Sequence, residues 1–180
     1  GDVYKRQMVS DFNEADAKEV PKFALLLGDI VYSFGEGQYY YDQFYDPYRG
    51  YNRPIFAVPG NHDGEVQYGS DPSTPLAPTL LAFLRNFCAP RPASSPDSGG
   101  LVRSTMTQPG AYFTLDAPFV SIIGLYSNVD GSLDGSGTFE QQRWFAQELK
   151  SAPSDRALIV AVHHAPYSLD VSHGGYGDVG

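Results

Sequence analysis

An amide, an imidazole and a carboxylate stand side by side in Pro59-Gly60-Asn61-His62-Asp63, directly after the apolar run Ile55-Phe56-Ala57-Val58. Such a cluster at a strand end suits metal-assisted hydrolysis. Two further apolar runs end in residues of the same kind: Phe23 to Leu27 leads into Gly28-Asp29, and Ala157 to Val162 leads into His163-His164. In an α/β sheet the carboxyl ends of the strands form the edge where ligands collect, so side chains distant in sequence can converge there. All four histidines, His62, His163, His164 and His173, fall in or just after these stretches. His163 and His164 are neighbours on an extended segment, so they point to opposite faces and one of them faces the site.

The elements that must position these residues are legible as periodicity. Asp11 and Glu14 have capping-box spacing, and with Ala15, Ala17 and Val20 they predict a short first helix ended by Pro21. Strands are expected over Phe23 to Leu27, Pro54 to Val58 and Ala157 to Val162. An antiparallel pair is expected over Ala111 to Leu115 and Phe119 to Leu125, turning at Asp116-Ala117-Pro118. Tyr40, Phe44 and Tyr48 fall at helical spacing within Glu36 to Tyr48, as do Leu80, Phe83, Leu84 and Phe87. The Pro-, Ser- and Gly-rich stretch from Ala89 to Gly100 reads as a loop. Thr138 and Gln141 again have capping-box spacing, ahead of a helix whose buried face would carry Trp144, Phe145 and Leu149. This alternation predicts a layered α/β fold with helices covering a mostly buried sheet.

Composition narrows the partners. With 180 residues and 42% hydrophobic content, the chain can bury a core as a single domain. A formal net charge of −9 gives no basic face for a nucleic-acid backbone. No apolar run reaches membrane-spanning length. The single Cys88 lies in Phe87-Cys88-Ala89, where a small buried hydrophobe is expected, and one cysteine forms no internal disulfide. The acidic, Tyr-, Ser- and Gly-rich composition with few lysines favours an exported bacterial enzyme. Oligomeric state has no signal in the sequence.

Gly28-Asp29-Ile30-Val31-Tyr32, Gly60-Asn61-His62-Asp63 and Val160-Ala161-Val162-His163 occur in that order, each after an apolar strand. Together they resemble the middle blocks G-D-x-x-Y, G-N-H-D/E and V-x-x-H of the calcineurin-like metallophosphoesterases, and within them the purple acid phosphatase-like branch. That family's first block, D-x-H, and its last, G-H-x-H, are absent. The resemblance therefore implies an α/β fold, a layered β-sandwich of mixed sheets flanked by helices, truncated at both ends. It also implies a small-molecule phosphoester as substrate, hydrolysed as a monoester or diester by a dinuclear centre of iron, manganese or zinc through a metal-bound hydroxide. The alternative is a non-catalytic scaffold that keeps the fold without its metals, or a fragment that is inactive without the two missing blocks.

The resemblance assigns roles residue by residue. Asp29 would be the carboxylate bridging two cations about 3.5–4 Å apart. Asn61 would ligate the second metal and help hold a phosphate oxygen. The V-x-x-H register makes His163 the metal ligand and leaves His164 in the core or behind the ligands. His62 would be the histidine that stabilises the phosphoryl group or protonates the leaving oxygen, with Asp63 accepting its other N–H. Tyr32 is either a phenolate ligand to ferric iron or a wall of the pocket, since a phenol with an ordinary pKa near 10 needs a strongly acidic metal. His173 follows His163 at a spacing similar to that of a substrate-contacting histidine, and a Gly-flanked loop is the competing account. The aromatics from Tyr39 to Tyr51 would either stack on an aryl or nucleoside leaving group or pack in the core.

The opening Asp2-Val3-Tyr4-Lys5-Arg6-Gln7 can be encoded by GATGTGTATAAGAGACAG, which resembles the end of a transposase adapter used in sequencing libraries. Residues 1–7 are accordingly expected to be foreign, with a partial metallophosphoesterase domain over residues 8–180.

Overall fold

The computed structural model describes residues 2–16, 18–65, 79–100, 103–128, 139–169 and 175. Strand β1 (Ala24–Leu27) pairs in parallel with β2 (Ile55–Val58), in register from Ala24 against Ile55 to Leu27 against Val58. Because the two strands end level, Gly28-Asp29 and Pro59-Gly60 emerge side by side. The far side of β2 is closed by a side chain: Gln108 accepts the Ala57 N–H at 3.0 Å and donates to the Ala57 carbonyl at 2.8 Å. An amide thus completes the strand where a backbone would otherwise be needed.

The second sheet has β4 at its centre. Strand β3 (Phe113–Ala117) runs antiparallel to β4 (Val120–Gly124), and β5 (Ala157–Ala161) runs parallel to β4, Gly124 facing Ala161. Asp116 and Ala117, expected in the turn, belong to β3, and the reversal falls at Pro118-Phe119. Each strand keeps its ladder as far as the pairing register allows, and proline, which has no N–H to give, takes the corner. The sheets approach closely: the Phe56 and Phe113 rings lie 6.1 Å apart, and a Cβ on Gly124 would come within 2.8 Å of Val58 Cγ1. This is the expected layered α/β arrangement of mixed sheets with helices.

Ahead of the first strand, α1 (Asp2–Glu14) begins earlier than its capping-box spacing predicts. Asp11 and Glu14 lie inside it, where they accept hydrogen bonds from Gln7 and Ser10 one turn back. Such i,i+4 pairs suit a helix interior as well as a cap. Among the described side chains of α1, only Val9 and Phe12 are buried. Ala15 and Val20 fall beyond the helix.

The aromatic segment also departs from the helix predicted for it. Gly37–Tyr39 forms a 3-10 turn and Tyr41–Tyr45 a π turn, closed by the Asp46 N–H on the Tyr41 carbonyl at 2.9 Å. The wider turn faces Phe44 and its neighbour Tyr45 inward together. With Tyr40, Tyr48 and Tyr51 they form the main core against Phe83 and Phe87 of α3 (Leu81–Phe87). Phe44 alone meets Phe87, Tyr45 and Tyr48 at ring distances of 5.1, 5.2 and 5.4 Å. Core packing thus accounts for most of this segment, while Tyr39 and Tyr41 stay exposed. Cys88 is half-buried beside it, and burial raises its thiol to about 11.

Crossing from β4 to β5, α4 (Glu140–Ser151) lays Trp144 and Phe145 against Ile123, Leu125 and Val162. Leu149, expected on the same face, is exposed, as are Leu158, Ile159 and Val160 of the edge strand β5. Thr138 lies outside the described residues. Gln141 is buried, and its side-chain amide bonds the backbone of Tyr126, just beyond β4.

Candidate metal centre

Three strand ends meet through two glycines. After β1 the chain turns at Gly28 (φ +95°) and Asp29 (φ +52°), both left-handed, which swings the Asp29 carboxylate across the end of β2. A left-handed L-residue costs about 1–2 kcal/mol, and Asp is among the side chains that tolerate it. The close approach requires glycine at both points. A Cβ on Gly28 would overlap His163 Nδ1 and sit 2.8 Å from Gly60 Cα, and one on Gly60 would run into Asp29 Oδ1.

Into this space project three of the predicted ligands. His163 Nε2 lies 3.1 Å from Asn61 Oδ1 and 3.5 Å from Asp29 Oδ1. The other ring nitrogen, Nδ1, stands 2.7 Å from the Leu27 carbonyl, which only accepts. In a neutral ring the proton is therefore on Nδ1, and Nε2 presents a lone pair to two oxygens. Atoms bound at about 2.0–2.2 Å to one cation lie about 2.8–3.6 Å from each other, from octahedral to tetrahedral geometry. The donor set and its spacing fit a metal ion, which would relieve three acceptors facing one another. Among the described residues no three His, Cys, Asp or Glu side chains converge, because the third donor is the amide of Asn61.

Asp29 is held from both sides. Its Oδ1 accepts the His62 backbone N–H at 3.2 Å, and Oδ2 accepts the Tyr32 hydroxyl at 2.6 Å. Tyr32 thus reaches the carboxylate expected to bridge, and its ring tilts against that of His62 at 4.4 Å. Partial burial, then the hydrogen bond to Asp29, push the phenol up to about 12. Both changes oppose a phenolate until a strongly acidic cation competes for the oxygen.

His62 and Asp63 are adjacent but do not act on one another as expected. His62 Nδ1 meets the Ser33 carbonyl at 2.8 Å, with Glu65 Oε1 at 3.6 Å. The buried Asp63 carboxylate instead accepts three backbone N–H groups, from Gly60 at 2.9 Å, Ile30 at 3.0 Å and Val31 at 3.2 Å. Being third in the single helical turn α2 (Asn61–Gly64), it points back toward the turn's own start and the neighbouring loop. Burial raises its pKa, against the three N–H groups that lower it. Asp63 therefore ties the Gly60 turn to the Asp29 loop, and the carbonyl of Ser33 takes the orienting place at His62.

His163 and His164 lie in a bend beyond β5 rather than on opposite faces of a strand, so their rings meet edge-on with centroids 4.8 Å apart, and His164 Nδ1 meets Ser127 Oγ at 2.7 Å. The sequence gives no sign of Ser127 or Gln108 and marks Gln141 only by its capping-box spacing, since a polar side chain bonded to distant groups leaves no local pattern. His173 lies outside the described residues. No helix among the described residues is long and apolar enough to cross a membrane.

A search of curated proteins returned no match. The family model described as calcineurin-like phosphoesterase matches residues 5–179, and on that extent the chain, with its strand-end Asp29, Asn61 and His163, belongs to this family.

Proposed function

We propose that this protein hydrolyses a small-molecule phosphomonoester or phosphodiester at a dinuclear metal centre built on Asp29, Asn61 and His163. The family supports metal-dependent phosphoester hydrolysis as the reaction class. The observation that carries the site is the convergence of His163 Nε2, Asn61 Oδ1 and Asp29 Oδ1, with the imidazole proton drawn to Leu27. When bound, the cations supply Lewis acidity and lower the pKa of water so that it attacks at neutral pH.

The chain's own residues divide the remaining work. Asp29 offers one oxygen on the His163 side and the other on the Tyr32 side, the disposition a bridging carboxylate needs. His62, with Nδ1 engaged by Ser33, keeps Nε2 to donate to a phosphoryl oxygen or the leaving oxygen when protonated. Asp63 supports the turn that carries both Asn61 and His62. In the purple acid phosphatase-like reading, Tyr32 would hold ferric iron in place of its bond to Asp29, and His173 would contact substrate.

The test is metal binding followed by turnover. The chain is expected to bind manganese, zinc or iron, losing it on His163→Ala. A version carrying the D-x-H and G-H-x-H blocks as well is expected to hydrolyse an aryl phosphate or a bis-aryl phosphodiester. Turnover that survives complete chelation would overturn the metal mechanism.

A further inference from the structure

Where β4 and β5 part, their backbone ladder is continued by side chains. The last backbone link is the Leu125 N–H on the Ala161 carbonyl at 2.9 Å. One step beyond, Gln141 of α4 accepts the Tyr126 N–H and donates to the Tyr126 carbonyl, both at 2.9 Å. One step further, the buried Ser127 hydroxyl accepts the His164 N–H at 3.3 Å and lies 2.7 Å from His164 Nδ1. With one proton and two lone pairs, a hydroxyl can serve both atoms at once. On the same loop, Asn128 Nδ2 reaches the Asn61 carbonyl at 3.5 Å and the Tyr126 hydroxyl at 3.4 Å. A Cβ on Gly64 would run into that Tyr126 hydroxyl, which shows how closely the loop supports the Asn61–Gly64 turn.

We infer that Ser127 is a positioning residue for the metal centre: clamped by Gln141 through Tyr126, it fixes the His163-His164 dipeptide and so sets His163 Nε2 against Asn61 and Asp29. The inference rests on the proposed metal-binding function. A strand end released from its ladder frays, and ligands must be held within about 0.5 Å to bind a metal well. Ser127 meets both needs with one atom. Its tripeptide faces both ligand-bearing segments, Ser127 toward the end of β5 and Tyr126 with Asn128 toward the turn after β2.

Mn²⁺ binding to the full chain, followed by electron paramagnetic resonance of the free ion, tests the inference, with amide hydrogen exchange at His164 as a second readout. Ser127→Ala is expected to weaken Mn²⁺ about tenfold, the low end for losing a group that orients a ligand, and to speed exchange of the His164 N–H. Ser127→Thr, which keeps the hydroxyl, is expected to restore most of both. His163→Ala separates the two levels of argument. If it abolishes binding while Ser127→Ala binds as the unmodified chain does, the positioning role is wrong and the metal site stands. An unmodified chain that binds no Mn²⁺, Zn²⁺ or iron overturns both.

Discussion

At the scale of single residues, neighbours in the sequence have separate duties. Asp63 touches three backbone N–H groups and His62 touches a carbonyl, so their substitutions should separate stability from rate. Asp63→Ala leaves three buried donors without their acceptor and is expected to cost about 3 kcal/mol or more, at about 1–3 kcal/mol per orphaned group with part recovered by water. In a chain of this size that lowers the melting temperature by about 6–12 °C, read by calorimetry. His62→Ala is expected to melt near the unmodified protein and to retain metal, while costing about 10²–10⁴ in turnover in an active version. His163→Ala should lower bound metal far more than His164→Ala, measured by elemental analysis, and the reverse ranking would exchange their roles. Asp29, Asn61 and His163 were legible because each follows an apolar run at a strand end. The work of Asp63 was not, since two of the three N–H groups on its carboxylate come from backbone thirty-odd positions away and nothing local marks those.

Elements divide in the same way. The strands were legible to within one or two residues because short apolar runs stand out in the sequence whether they end up buried, as in β2, or exposed, as in β5. The π turn was not, because Tyr40, Phe44 and Tyr48 fit an α-helical stripe equally well and only the packing of Tyr45 beside Phe44 decides for the wider turn. That packing leaves the Tyr40 hydroxyl buried without a hydrogen-bond partner among the described residues. Tyr40→Phe is accordingly expected to leave stability unchanged or raise it by about 1 kcal/mol, since an unsatisfied buried polar group is removed and the ring kept. A loss above about 1 kcal/mol in urea unfolding would mean the hydroxyl has a partner. The first helix offers a contrasting test of the proposal that residues 1–7 are foreign. Its buried side chains, Val9 and Phe12, both come after Gln7, and the earlier part adds an exposed Arg6–Asp46 ion pair and a hydrogen bond from Lys5 to the Gln43 carbonyl. Deleting residues 1–7 is therefore expected to cost less than about 1 kcal/mol, the range of surface pairs.

For the molecule as a whole, the aromatic core dictates an alkaline limit. Burial raises Cys88 from 9.0 to about 11 and Tyr45 from 10.0 to about 12, and Tyr40 and Tyr48 are raised as well. An acid whose folded pKa lies above its unfolded one stabilises the fold fully below the unfolded value, and that stability is lost as pH rises through the interval. The melting temperature should therefore fall from about pH 9 upward, first through the thiol and then more steeply through the phenols. Cys88→Ala is expected to flatten only the first part, and a profile level to about pH 11 would contradict the burial of these groups.

The hydrogen bond from His163 to Leu27 fastens the strand ends of one sheet to those of the other. A cation held by Asp29 and Asn61 after the first sheet and His163 after the second would span that same seam. Free metal at a hundred times its dissociation constant would add about 2.7 kcal/mol to folding. Metal supply would then govern survival as well as turnover. A chain starved of its cation would open more readily along the seam, so scarcity would reduce the amount of protein before it limited the rate of each surviving molecule.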